Sequence, residues 1–560
     1  MNKHAVKKLT KEGCIVGKEA AEDITEEDIE AIRDLDTTPM YISETMLSQL
    51  RKKRMSGGEN PNGPSKKTPN GSSHEANDSS HSAQPNGSSQ KVVQKEKAST
   101  GENETEQTTS ETEKTGVEQP TPAESRGSEK QISTDDANSS KANSQDIEIL
   151  DNRDRTEMDT KVEIMDEKEI SRDEKDVPEF LQYYNDRYDK MKKLLMRRKE
   201  LQAATTLNRL ERRNEGEEAT AIGFVKNKYS TNSGKWIVEL EDKTGTFKAL
   251  VDERDGERIV PDEAIGVIGS MGGDIIYANS VVRPDLPIPD GVETTSEDVE
   301  AAYISDLHLG SKDTRHDKFM EFAEWLKSKD AKKVGYVVIG GDIVEGVGSY
   351  PGQKDELEVT DIYKQYDLFQ DWVEKVPEHI QIIAGPGNHD ITRLAEPQPR
   401  LPEKAFPDIV DYNNLHLIQN PQMVRLHAIR SKGIRNLVYH GYSFDDHVDQ
   451  IQDLREKAYD EPHHVMIDLL KRRHLAPTYG SNQLSPEGED HLAITEEPDV
   501  FVSGHFHSHS NESYKGVNVI NSSSFQEQTD FQKRMGHEPD PGKVTLVDYK
   551  TRNTRVKKFF

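Results

Sequence analysis

Five short polar motifs, each directly behind an apolar run, limit the folds open to this chain more than any other feature. Asp306-Leu307-His308 follows Ala301–Ile304, Gly341-Asp342 follows Tyr336–Ile339, and Gly387-Asn388-His389-Asp390 follows Ile380–Ala384. His440-Gly441 follows Leu437–Tyr439, and Gly504-His505-Phe506-His507 follows Val500–Val502. Short apolar runs bounded by glycine and polar clusters read as buried strands. Helical patterns over 316–329 and 363–374 lie between them. The expectation is an α/β or α/β/β-layered domain over 296–560, with a site where the strands end.

The residue types at those ends are metal donors. A carboxylate shared by two divalent ions holds them ~3.5–4 Å apart, the arrangement of two-metal phosphoester hydrolysis. Imidazole, carboxylate and amide oxygen suit Mn or Mg, with Fe or Zn also served. His389 stands next to a donor and is open to another task. As an imidazolium it can protonate a departing oxygen, with Asp390 placed to orient it. A lone Gly-Asp or His-x-His is usually structural; five motifs in this order are a specific signal. His463, His464, His491 and His509 read as surface or supporting residues.

Hydrophobic residues make up 32% of the 560, too few for a chain that is globular throughout. The expected organisation is multidomain. Residues 1–54 form a small helical interaction module: Thr25 and Asp28 spell a capping box, and Ile24 can staple against Ile29. Residues 55–175, rich in Ser, Asn, Gly, Thr, Glu and Lys, read as a disordered tether. Residues 176–215 are a helical connector, with Phe180, Leu181, Tyr184, Tyr188, Met191, Leu194 and Leu195 at helical spacing and arginines toward its end. Over 216–290, five short strands (220–226, 235–241, 246–252, 263–270 and 274–282) predict a small barrel of the oligonucleotide-binding type. Its lysines 226, 228, 235, 243 and 248 are as compatible with nucleic-acid contact as with a purely structural barrel.

A net charge of −29 argues against a broad phosphate-binding surface, although two cations would reverse the sign at the site itself. The single cysteine, Cys14, excludes a disulfide framework. Met1–Thr10 has no apolar signal core, and no stretch approaches the ~18 apolar residues of a membrane span. The expectation is a soluble, cytoplasmic protein without membrane contact.

In their order and spacing the five motifs resemble the calcineurin-like metallophosphoesterases. That resemblance implies a first metal on Asp306, His308, Asp342 and His507, and a second on Asp342, Asn388, His440 and His505. Four further segments carry a narrower likeness: 345–353 after the second motif, 393–399 after the third, 440–446, and 528–535. These are similar to the small subunits of archaeal D-family DNA polymerases, relatives of the eukaryotic polymerase B-subunits. The likeness implies a 3′→5′ exonuclease that proofreads for a separate large polymerase subunit. DNA is the implied substrate, Arg393 a clamp on phosphate or terminal nucleotide, and a sliding clamp or primase a further partner. Two alternatives are a non-catalytic architectural subunit and a free-standing phosphoesterase. For Arg393 the alternative is an ion pair with a loop carboxylate.

Overall fold

The computed structural model describes residues 15–16, 24–25, 28–29, 41–42, 51, 158–168, 170, 177–350 and 352–560. Two compact units divide at Asn143. In the first, the two-residue strands Ile15–Val16 and Tyr41–Ile42 pair in parallel. Asp28 and Ile29 are helical. The predicted capping box is present: Thr25 N donates to Asp28 Oδ2 at 2.9 Å and Asp28 N to Thr25 Oγ1 at 3.3 Å. Asp28 also pairs with Arg51 at 2.6 Å. The rest of the expected module and the tether as far as residue 157 lie outside the described residues.

The end of the predicted tether belongs to the fold, which moves its boundary. Val162–Met165 (β1) pairs antiparallel with strand Gln422–Leu426. Met158, Val162 and Ile164 pack against the second unit's core. Lys161 N donates to Tyr336 Oη at 2.9 Å. A two-residue apolar alternation suffices for an edge strand, and composition averaged over a long polar stretch hides it.

The connector is one helix, Val177–Leu195 (α1), followed by a 3-10 turn at Lys199–Leu201 and a short helix at Leu207–Leu210. A continuous helix would not turn Leu207 and Leu210 into the barrel core, where both are buried. The expected apolar face is kept at Tyr188, Met191, Leu194 and Leu195, which are buried; Leu181 is exposed instead, and Tyr183 and Arg187 join the buried side. The barrel strands are Glu218–Ser230 (β2), Trp236–Asp242 (β3), Gly245–Val251 (β4), Ala264–Met271 (β5) and Ile275–Val282 (β6). They close in the order β2-β3-β4-β6-β5. Inward alternation along them supplies the core, as in Val238 and Leu240 or Phe247, Ala249 and Val251.

The remaining chain makes a two-sheet sandwich with helices outside. One sheet has the order β10-β9-β8-β7-β16-β17. Its strands are Glu300–Ile304 (β7), Val334–Ile339 (β8), Gln381–Ala384 (β9), Leu415–Leu417 (β10), Lys543–Asp548 (β16) and Thr554–Lys558 (β17). The other has the order β14-β15-β13-β12-β11-β1. Its strands are Gln422–Leu426 (β11), Ile434–Val438 (β12), Val500–Ser503 (β13), Ser510–Tyr514 (β14), Val517–Asn521 (β15) and β1. Period-2 alternation divides each strand between two cores. Tyr303, Val338, Ile383, Val438, Val502 and Ile520 fill the space between the sheets. Ala302, Ile304, Val337, Ile339 and Ile382 face helices His316–Trp325 (α2) and Ile362–Val373 (α3), where Phe319 stacks on Trp372 at 4.7 Å. Leu437, Phe501 and Val519 face helix His463–Arg472 (α4). Burial on both faces is why these strands read as unbroken apolar runs. β7, β8 and β9 are mutually parallel, as are β12 and β13, so their C-terminal ends collect together. No described helix is long and apolar enough to cross a membrane.

Candidate metal centre

Every one of the five motifs leaves its strand within a few residues of the strand's end, and the backbone there is unusual. Asp306, His308, Asp342, His505 and His507 all have left-handed φ, between 46° and 72°. Such residues are uncommon outside glycine and gather where the surrounding structure enforces them. Gly387 and Gly504 permit the close approach of the loops. A Cβ at Gly387 would lie 2.1 Å from Asp342 Oδ1, and one at Gly504 would lie 2.1 Å from Asp306 Oδ2.

The side chains converge in a buried cluster. His308 Nε2 and His507 Nε2 are 3.1 Å apart. Asp306 Oδ1 is 3.4 Å from His507 Nε2, and Asp342 Oδ2 is 3.3 Å from His440 Nε2 and 3.8 Å from His308 Nε2. Asn388 Oδ1 is 3.0 Å from His440 Nε2. Donor atoms of Asp306, His308 and His507 lie within 4.8 Å of one another, as do those of Asp306, Asp342 and His440. The set His308, Asp342 and His389 satisfies the same distance. Imidazole nitrogens and carboxylates facing each other without solvent are the donor set of a pair of divalent cations, so the residues fit the implied metals. His505 is the outlier: its Nε2 turns to Asp445 Oδ2 at 2.9 Å, and its backbone N donates to both oxygens of Asp306 at 3.0 Å.

The electrostatics follow from packing acids and bases together. Burial opposes charge on His308, but the Glu345 carboxylate at 2.8 Å, with Asp342 and Asp306, raises its pKa to about 9. Burial likewise opposes charge on His440, and Asp342 overcomes it, again to about 9. Asp342, although buried, is held well below the usual carboxylate range by His440, His389 and His308. Glu345 falls to about 2 against its burial because of His308.

Residues 301–509 match the family model described as calcineurin-like phosphoesterase. Three curated relatives are each a "DNA polymerase II small subunit". That of Methanocaldococcus jannaschii is 37% identical over 389 residues, covering 66% of this chain and 64% of the relative. Those of Archaeoglobus fulgidus and Halobacterium salinarum are both 38% identical and covered over 75% of their length, by 66% and 68% of this chain. The chain belongs to the DNA polymerase II small subunit family. It spans just under two thirds of the M. jannaschii small subunit.

Within this small-subunit fold two expected roles change. Asp390 does not orient His389. Its buried carboxylate accepts from the backbone N of Gly387 and Ile343 at 2.9 and 3.2 Å and from Tyr366 Oη at 2.8 Å, fixing the loops instead. Burial, with the Asp342 charge, raises its pKa to about 6. His389 is oriented by Glu345, whose carbonyl oxygen accepts from His389 Nδ1 at 2.8 Å. Arg393 takes the ion-pair alternative: it bonds Glu487 Oε1 and Pro397 O, both at 2.7 Å.

Several supporting residues of the small-subunit site were not legible as functional. Glu345 receives Gln526 Nε2 at 3.0 Å besides holding His308. Gln532, in the short helix Asp530–Met535 (α5), donates to His507 Nδ1 at 3.0 Å. The Glu345 signal is visible in retrospect: it lies three residues beyond Asp342, on the loop that must return past His308.

Proposed function

We propose that the chain is the small subunit of an archaeal replicative DNA polymerase and carries a 3′→5′ exonuclease for proofreading, using two divalent ions, Mn or Mg first. The observation that carries this reading is the convergence of buried Asp306, His308, Asp342, His440 and His507, with half-buried Asn388, at the strand ends. The first ion would be held by Asp306, His308, Asp342 and His507, and the second by Asp342, Asn388, His440 and His505. When bound, two such ions acidify water and offset charge on a phosphodiester. His389 hands a proton to the departing 3′ oxygen. Its Nδ1 is engaged by the Glu345 carbonyl, so the transfer runs through Nε2. His505, with Asp445 on its Nε2, has Nδ1 left for the metal, the usual carboxylate–imidazole support. The partner is a large polymerase subunit and the substrate is a DNA 3′ end; a sliding clamp or primase is assigned to the N-terminal residues.

A second, architectural role is favoured for the barrel. Lys243 pairs with Asp189 at 2.8 Å, and Lys228 donates to Gly256 O at 2.9 Å over the Trp236 ring. These lysines serve the fold rather than a phosphate backbone. The test is a single-stranded DNA labelled at one end, incubated with the full chain and Mn²⁺. Loss of nucleotides one at a time from the 3′ end, abolished by chelator and by Asp342→Ala, is expected. Undiminished activity in Asp342→Ala would remove the two-metal reading, and attack from the 5′ end would remove the proofreading one.

A further inference from the structure

The amide of Gln532 is committed at both ends. Its Oε1 accepts from Thr529 N at 3.0 Å, one half of the capping box that starts α5; the other half is Gln532 N donating to Thr529 Oγ1 at 3.2 Å. Its Nε2 donates to His507 Nδ1 at 3.0 Å. An amide has donors on one end and acceptors on the other, so this pattern requires an acceptor at Nδ1. A neutral imidazole that accepts at Nδ1 carries its hydrogen on Nε2, the nitrogen that faces Asp306 Oδ1 at 3.4 Å and His308 Nε2 at 3.1 Å.

We infer that Gln532 is a positioning residue whose amide cannot bond both the α5 capping box and a His507 that ligates metal through Nε2. This rests on His507 being a ligand through Nε2. Ligation needs Nε2 free of hydrogen, which puts N–H on Nδ1, against the NH₂ of Gln532. Turning the amide over gives Nδ1–H an acceptor but sets NH₂ against Thr529 N–H. One of the two contacts must open. Metal loading with the His507 contact kept therefore opens the Thr529 N–Gln532 Oε1 half of the box and leaves the Gln532 N–Thr529 Oγ1 half, loosening the start of α5, a six-residue helix with no buried residue and with Phe531 and Met535 more than half exposed. The helix reports occupancy of the centre at its rim.

A carboxylate at 532 would remove the conflict, since its two oxygens accept from Thr529 N–H and His507 Nδ1–H together. The experiment is Mn²⁺ calorimetry on the full chain with amide hydrogen exchange over 529–537. In the wild type, Mn²⁺ is expected to speed exchange in that segment. Gln532→Glu is expected to bind Mn²⁺ on the order of 10-fold more tightly and to lose the metal-induced rise. Gln532→Ala, which lacks the opposing donor, is expected to bind no more weakly than wild type. Arg534→Gln makes the same charge change without reaching His507, and equal tightening there would reduce the effect to charge and overturn the inference. So would slower exchange on Mn²⁺ addition, or a 10-fold weaker Gln532→Ala, with metal still bound. A wild type that binds no Mn²⁺ would remove the metal centre itself, and the inference with it.

Discussion

His389 and Glu396 separate two uses of a titratable side chain beside the same centre. His389 lies within ligand range of His308 and Asp342, yet its proposed work is proton delivery. His389→Ala is therefore expected to keep its metals by elemental analysis and to lose on the order of 10²–10⁴-fold in rate on DNA. The loss should be far smaller on an aryl phosphodiester, whose leaving group departs unprotonated. Equal loss on both substrates would make it a charge stabiliser instead. Glu396 is structural. It is fully buried, accepts from Tyr439 Oη at 3.2 Å and from Asn482, and its Oε1 has no partner among the described residues. Burial lifts its pKa from the ordinary 4.5 to about 8. Between those values the native state keeps a proton that the unfolded state has released, so this contribution to stability falls as pH rises from about 4.5 to 8. Glu396→Gln should flatten that slope in denaturant melts and be more stable than wild type at pH 8, by on the order of a few kcal/mol. An unchanged slope would mean that the carboxyl ionises freely. The residues that converge at the candidate centre could be read from sequence because each is tied to a strand end. The left-handed backbone beneath five of them could not, and Glu345, Asp445 and Gln532 showed only as members of the likeness segments, without a role. Gln526 meets Glu345 from 181 residues away, and only the sandwich brings them together.

At the scale of elements, the barrel strands were legible to within a few residues because alternation and turn chemistry are local. The edge strand β1 was not, since a short alternation disappears in a long polar stretch. Its position makes a sharp prediction. Removing residues 57–157 should leave stability and the proposed nuclease activity unchanged, because a stretch of that polar composition cannot bury an apolar core. Extending the deletion to Lys168 strips the backbone partners from one edge of Gln422–Leu426, which stays paired with β12 on the other, and uncovers the inter-sheet core beneath Met158, Val162 and Ile164. Partial burial of three such side chains corresponds to about 3 kcal/mol, and a bare edge invites aggregation. The urea midpoint should fall accordingly, with lower solubility. Equal midpoints for the two deletions would show that β1 adds nothing to the fold.

Across the whole second unit, the barrel and the phosphoesterase sandwich are joined by buried charge. Glu263 of the barrel edge pairs with Arg283 at 3.1 Å and with Arg472 of α4, which also holds Asp468 at 2.7 Å, and Asp468 binds His447 at 2.8 Å. On the other side of the joint, Arg187 of α1 donates to Pro477 O and lies 3.6 Å from Asp490, which His474 meets at 2.8 Å. Removing one member leaves the others charged and unpaired without water, so Glu263→Ala should destabilise the unit by about 3–5 kcal/mol. Such a joint ties the barrel to the sandwich that carries the candidate centre, and under the proposed function a large subunit would meet both together. A chain of residues 158–560 should therefore co-purify with the large polymerase subunit as well as the full chain does, and Glu263→Ala should weaken that capture before it affects Mn²⁺ binding. Co-expression with the tagged large subunit, followed by elution and metal titration, measures both. Capture that instead requires residues 1–54 would move the interface to the N-terminal unit and leave the barrel a support for the nuclease alone.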